Sequence, residues 1–148
     1  MTDILPLELD DLIHIMPIEQ ACHTHPCSEK VMGGSFSRRY HNFKLVQNGQ
    51  IIGFYIADLV VDELTLQNIC IAPNWQGKGL GKQLFKHFLD TAKRLGAMQL
   101  WLEVRESNTA AIALYESHDF IETGKRPNYY PTATGREDAL LMGCTLLF

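Results

Sequence analysis

Between Leu64 and Val104 the sequence passes from an apolar run through a cluster of glycines into an amphipathic helix, then into a second apolar run. No other feature restricts the fold as much. The first run, "LTLQNICIA", stops at Pro73, which has no N–H to donate to a sheet ladder. Leu80, Leu84, Phe85, Phe88, Leu89, Ala92 and Leu95 then recur with a helical period, and Gly96 closes the helix. "MQLWLEV" follows as a strand, with Met98, Leu100, Leu102 and Val104 on one face and Gln99, Trp101 and Glu103 on the other.

The flanking segments complete a sheet for this helix to pack on. "ILPLEL" alternates as a short strand does, and the spacing of Leu12, Ile13 and Met16 predicts a helix from Asp10 that Pro17 bends or ends early. Cys22 to Pro26 reads as loop, and Ser28 caps a short helix through about Phe36. "NFKLVQ" and "QIIGFYIADLVV" are joined through Asn48-Gly49, the dipeptide most typical of a tight hairpin. Ser107 or Asn108 starts a helix to about Ser117. "DFIETGKR" and "EDALLMGCTLL" then read as strands separated by a loop, "PNYYPTATG". Antiparallel strands followed by strand–helix–strand–helix–strand make an α/β or α+β domain around one mixed sheet.

The chain has 148 residues and no repeat or linker, which predicts one domain over 1–148. A formal net charge of −4 argues against direct nucleic-acid binding and favours a basic partner. The acidic start "MTDILPLELDDL" is not a signal peptide, and no apolar stretch is long enough to span a membrane. The four cysteines (Cys22, Cys27, Cys70, Cys144) are scattered, as reduced thiols in a cytoplasmic protein would be. Cys22, His23, His25 and Cys27 in "CHTHPC" are all metal-ligand types. Crowded into one short segment they cannot close a tetrahedron without strain, and no metal is expected there or elsewhere in the chain.

"NWQGKGLGKQL" (Asn74 to Leu84) holds three glycines and two lysines. It is not an ATP loop: Gln76 stands where that pattern starts with glycine, and Gln83 where Ser or Thr must hold magnesium. Nor is it a dinucleotide loop, because Gly77 and Gly79 would require a glycine at Lys82. A glycine turn opening a helix still offers free backbone N–H groups and the positive end of the dipole to an anion. The alternative is a tight turn and nothing more.

Gln76-x-x-Gly79-x-Gly81, after a strand ending in "IAP" and before "LGKQLF", resembles the pyrophosphate loop of the GNAT acetyltransferases. "LWLEVRESNTAAIALYES", "NYYPT" and "GREDALLM" are similar to the branch of that family that acetylates ribosomal-protein alanines, and the likeness runs over almost the whole chain. The resemblance implies a central mixed, mostly antiparallel sheet of about seven strands flanked by about four helices. It implies acetyl-CoA as co-substrate, held by Gln76, Gly77, Lys78, Gly79, Leu80, Gly81 and Lys82, with Asn108 touching it from the next helix. Ile69, Cys70 and Ile71 would lend backbone N–H groups to the oxyanion.

The resemblance also gives roles to residues that read neutrally by themselves. Glu103 reads either as a strand glutamate facing solvent or as a general base in apolar surroundings; the family pattern makes it the proton acceptor, through a water. Tyr115, seven residues after Asn108 on one helical face, reads as a core tyrosine; the family pattern makes it the acid for the departing thiolate. Tyr129 and Tyr130 would line the peptide entrance.

The acceptor implied is the N-terminal α-amine of a ribosomal protein. At pH 7 about a tenth of such amines are neutral, against about four in ten thousand lysines, so one modest carboxylate suffices. Lysine side chains or small amines are the alternative acceptors, and a non-catalytic coenzyme A-binding module the alternative class. A monomer is expected. Two departures from the family pattern stand out: Pro26-Cys27-Ser28 where relatives read Pro-Trp-Ser, which alters a wall of the peptide cleft, and Asp119-Phe120 where they read Gly-Phe. The second carries a small stability cost if that position is left-handed.

Overall fold

The computed structural model describes residues 2–23 and 25–146. Its elements are β1 (Thr2–Pro6), α1 (Leu12–Cys22), α2 (Glu29–Gly33), β2 (Phe43–Gln47), β3 (Gln50–Val60), β4 (Glu63–Ile71), α3 (Leu80–Arg94), β5 (Gln99–Arg105), α4 (Thr109–Glu116), β6 (Ile121–Pro131) and β7 (Arg136–Thr145). The strands form one seven-stranded sheet in the order β1-β2-β3-β4-β5-β7-β6. Every pairing is antiparallel except β4 with β5, the pair that α3 connects. A parallel pair needs a long crossover, and the helical stripe read between Leu80 and Leu95 supplies it.

Helices cover both faces. Leu84, Phe85, Phe88 and Ala92 of α3 and Tyr115 of α4 are buried against Leu64, Leu66, Leu100, Leu102 and Val104. On the other face Ile15, Met16 and Ile18 of α1 and Met32 of α2 pack on Phe54, Ile56 and Cys70. The hairpin lies where Asn48-Gly49 put it, with φ of 52° and 76° at those residues. Ser28 caps α2 by accepting from the Val31 N–H at 3.2 Å.

Several expectations are corrected. α1 neither stops nor breaks at Pro17 but continues to Cys22. Burial of Ile15, Met16, Ile18 and Glu19 around the proline holds the helix together despite the missing N–H. α2 ends at Gly33, short of Phe36. Asn128-Tyr129-Tyr130-Pro131 is not loop but the end of β6, with Tyr130 opposite Glu137 and Pro131 opposite Arg136. Pairing with β7 overrides the turn-like composition, and a bulge between Arg126 and Tyr130, with Asn128 at φ 53°, absorbs the misfit. β7 ends at Thr145, before Leu146, and Leu147 of the expected last strand lies outside the described residues.

Candidate active site

The parallel ladder between β4 and β5 is short. It pairs Glu63–Leu66 with Gln99–Leu102 and goes no further, while β4 continues along β3 to Ile71 and β5 along β7 to Arg105. Beyond Leu66 and Leu102 the two strands part and leave a wedge. The Ala72 N–H donates to Ile52 of β3 at 2.8 Å. Because backbone groups alternate sides along a strand, the Ile71 and Ile69 amides turn the other way, into the wedge. Cys70 lies between them, its backbone turned to β3 and its side chain toward α1.

The glycine loop sits at the wedge's end. Gly77 and Gly79 have φ of 76° and 78°, which explains glycine at both. Gly79 is the N-cap of α3 and no side chain caps it, so the first-turn amides from Leu80, Gly81 and Lys82 stay open to an anion. Gly81 has room: a Cβ there would lie 3.8 Å from Ile71 Cγ1. Lys78 is exposed beside these amides. Gln76 has a different contact, its side-chain amide donating to Ile71 O at 2.9 Å and tying the loop to the end of β4.

Glu103 and Tyr115 approach the wedge from opposite sides of the sheet. Glu103 projects from the face of β5 away from α3, beside a cleft of about 290 Å³ lined by Thr65, Trp101, Thr123, Arg126 and Leu141. Its surroundings are not the apolar ones the strand sequence suggests: Arg126 Nε lies 2.9 Å from its Oε1. β6, which carries Arg126, is brought alongside only by the tertiary fold. Tyr115 is 6% exposed, packed at 4.9 Å from the Phe85 ring, and nothing among the described residues hydrogen-bonds its hydroxyl. Burial, then Tyr130, then Cys70, push its pKa up to about 12. Tyr130 is itself raised to about 12, by burial first and then by Glu103 and Tyr129.

Tyr129 and Tyr130 meet edge to face at 5.0 Å, with Arg126 over the first ring at 5.4 Å and Arg105 over the second at 4.5 Å. Asn108 is the N-cap of α4 and accepts from the Ala111 N–H at 3.2 Å. A larger depression of about 530 Å³, near Leu5, Asp11, His14 and Lys44, holds none of these residues.

A sheet wedge, an uncapped glycine-led helix start and a half-exposed carboxylate together match a known family. The model of the acetyltransferase (GNAT) family matches residues 12–120. The chain belongs to the GNAT acetyltransferases. It is similar to the [ribosomal protein bS18]-alanine N-acetyltransferase of Escherichia coli strain K12, 49% identical over 142 residues and 96% of each chain. The enzyme of the same name from Haemophilus influenzae is 45% identical over 147 residues, 99% of this chain and 100% of that one. Among solved structures, the ribosomal-protein-S18-alanine N-acetyltransferase from Escherichia coli superposes with a TM-score of 0.97 at 47% identity, covering 100% of this chain and 96% of that one. The fold is therefore the GNAT fold, and the chain is an N-acetyltransferase by class.

One group in this GNAT chain went unread in its sequence. Glu19, only 2% exposed, accepts from the Cys27 N–H at 2.9 Å and the Asn68 side-chain amide at 2.7 Å. His23 Nε2 lies 3.5 Å from Glu19 Oε1, 3.3 Å from Asn68 Oδ1 and 3.2 Å from Cys70 Sγ. The Cys22 thiol donates to Ile71 O at 3.1 Å, and Cys22, burial and Glu19 push the Cys70 thiol's pKa up. Glu19 lies 51 residues before Cys70, so only the i,i+4 pair Glu19–His23 was available as a signal.

Proposed function

We propose that this chain transfers acetyl from acetyl-CoA to the N-terminal α-amine of a small-subunit ribosomal protein, the alanine of bS18. The observation that carries the reading is the wedge between β4 and β5, with Ile69 and Ile71 amides along one edge, Glu103 at the other and Tyr115 beneath. The pyrophosphate would rest on the Gly77–Lys82 turn and first helical turn, as a handle. The thioester would lie along β4, its carbonyl oxygen facing the Ile69–Ile71 amides, and Asn108 would help shape the far wall.

Glu103, through a water, takes a proton from the ammonium and passes it to solvent; the neutral amine attacks the carbonyl carbon, the oxyanion is met by the amides, and the attacking nitrogen gives up its second proton through the same water. The C–S bond then breaks and the sulfur takes the Tyr115 proton, which solvent restores. In water a thiol near 8.5 is the stronger acid. Burial raises a thiol as it raises the phenol, so the two stay closer in acidity inside the wedge than the Tyr115 value alone suggests. Tyr129 and Tyr130, framed by Arg105 and Arg126, would line the peptide entrance. The net charge of −4 suits a basic acceptor.

We read the chain as one GNAT domain over 1–148, a cytoplasmic monomer without nucleic-acid or membrane contact; among the described residues no helix is long and apolar enough to cross a membrane. The deciding assay compares initial rates on a bS18-type peptide with a free N-terminal alanine and on its N-blocked, lysine-bearing twin. The free α-amine should react at least about a hundredfold faster, in keeping with the larger neutral fraction. Equal rates would assign lysine as acceptor, and tight coenzyme A binding without turnover on either would assign a binding module.

A further inference from the structure

Three side chains that the acetyl-transfer reading does not use converge at the acceptor edge of the wedge. Glu19 Oε1, His23 Nε2 and Cys70 Sγ all lie within 4.8 Å of one another. Their separations are 3.5 Å between oxygen and nitrogen, 3.2 Å between nitrogen and sulfur, and 3.7 Å between sulfur and oxygen. Zinc bonds of about 2.0–2.3 Å at tetrahedral angles place such donors about 3.4–3.6 Å apart. The triangle is thus already close to one face of a zinc tetrahedron, with no backbone movement required. We propose that Glu19, His23 and Cys70 form a binding site for a thiophilic divalent cation of the zinc type.

The donors suit that ion class. A thiolate and an imidazole select zinc over magnesium or calcium, which prefer oxygen alone. The Cys27 N–H holds the other Glu19 oxygen, Oε2, and the Asn68 amide donates to Oε1 itself, so both fix the orientation of the ligating carboxylate. Cys22 stays outside this triangle, its thiol donating to Ile71 O at 3.1 Å, and the fourth position falls to a water, as in zinc sites with three protein ligands. This site differs from the one rejected within "CHTHPC". Its ligands come from α1, from the His23 cap that follows it and from β4, so the fold supplies the spread of directions that a single short segment cannot. An ion here would link the end of α1, and through Glu19 the Cys27 backbone, to the strand bordering the wedge. It would stiffen one wall of the acceptor cleft.

The test is independent of acetyl transfer. The reduced, metal-free full-length chain is titrated with cobalt(II), and thiolate-to-metal charge-transfer absorption is followed. One equivalent should bind with that absorption, and zinc should displace it. At a hundredfold excess over its Kd, zinc should also raise Tm by about 5–10 °C. His23→Ala, at a partly exposed position, and Cys70→Ala should each abolish the absorption, while Cys144→Ala, on a distant strand, should keep it. Absence of a charge-transfer band in the wild type would overturn the site. So would a band that survives in His23→Ala.

Discussion

Replacing Tyr115 with Phe removes one oxygen and leaves the ring where it is. The ring packs on Phe85 at 4.9 Å and Phe120 at 6.2 Å, and among the described residues the hydroxyl has no hydrogen-bond partner to orphan. Stability near neutral pH should therefore change by less than about 0.5 kcal/mol. Turnover should not be spared. A positioned proton donor contributes about a hundred- to ten-thousandfold. A phenol raised to about 12 is a weak acid. The lower end of the range, about a hundredfold or about 2.7 kcal/mol of barrier, is the expected loss in kcat. Thiol release followed with a disulfide chromophore gives kcat directly, and KM for acetyl-CoA should stay within about twofold, because the lost proton matters only as the C–S bond breaks. The wild-type rate should show no alkaline fall from this group until the pH approaches about 12.

The same substitution has a stability signature. A group whose folded pKa is raised, here from 10.0 to about 12, lends stability that is complete below the unfolded value and is lost as pH rises through the folded one. At pH 11 the wild type should have lost about 1.4 kcal/mol from Tyr115 alone, and Tyr115→Phe none from that position. Urea unfolding at pH 8 and pH 11 isolates the difference, since Tyr55 and Tyr130 remain in both proteins. A Tyr115→Phe enzyme with more than half the wild-type kcat would refute the acid role, whatever its unfolding curves show.

Glu103→Gln should lower kcat at least about tenfold, chiefly at low pH where the acceptor amine arrives protonated, and a uniform loss across pH would point to positioning instead. Arg126→Ala removes a pair whose partners are 55% and 30% exposed, so its Tm should move by less than about 2 °C, while KM for the peptide rises if Arg126 orders the entrance beside Glu103 and Tyr129. Asp119 adopts φ 69°, and Asp119→Gly should raise stability by about 0.5–1 kcal/mol, read as a Tm gain of about 2–4 °C. Gly53 lies opposite Ile71, and a Cβ there would come within 2.8 Å of the Cys70 carbonyl oxygen. Gly53→Ala should cost about 1–3 kcal/mol and raise KM for acetyl-CoA, because β4 must shift where the thioester lies; wild-type kinetics would show that β4's position is not critical.

Much of this protein follows from local chemistry. The period of Leu80 to Leu95, the alternation of "MQLWLEV" and the Asn48-Gly49 turn each name their element because backbone geometry demands those residues at those spacings. The left-handed strain at Asp119 came from a different source, the resemblance to a family that has glycine at that position. Other features depend on which strands lie side by side. That β4 and β5 part after four residues each cannot be read from either strand, since each goes on pairing with its other neighbour beyond that point, β4 with β3 and β5 with β7. Arg126 meets Glu103, and Asn128–Pro131 becomes strand, only because β7 draws β6 against the sheet. The convergence of Glu19 and His23 on Cys70 is decided the same way: α1 packs across β4, and residues distant along the chain share one buried pocket. Sequence determines elements through local sterics and periodicity; the tertiary fold decides neighbours, and in this chain the neighbours set the chemistry of the wedge.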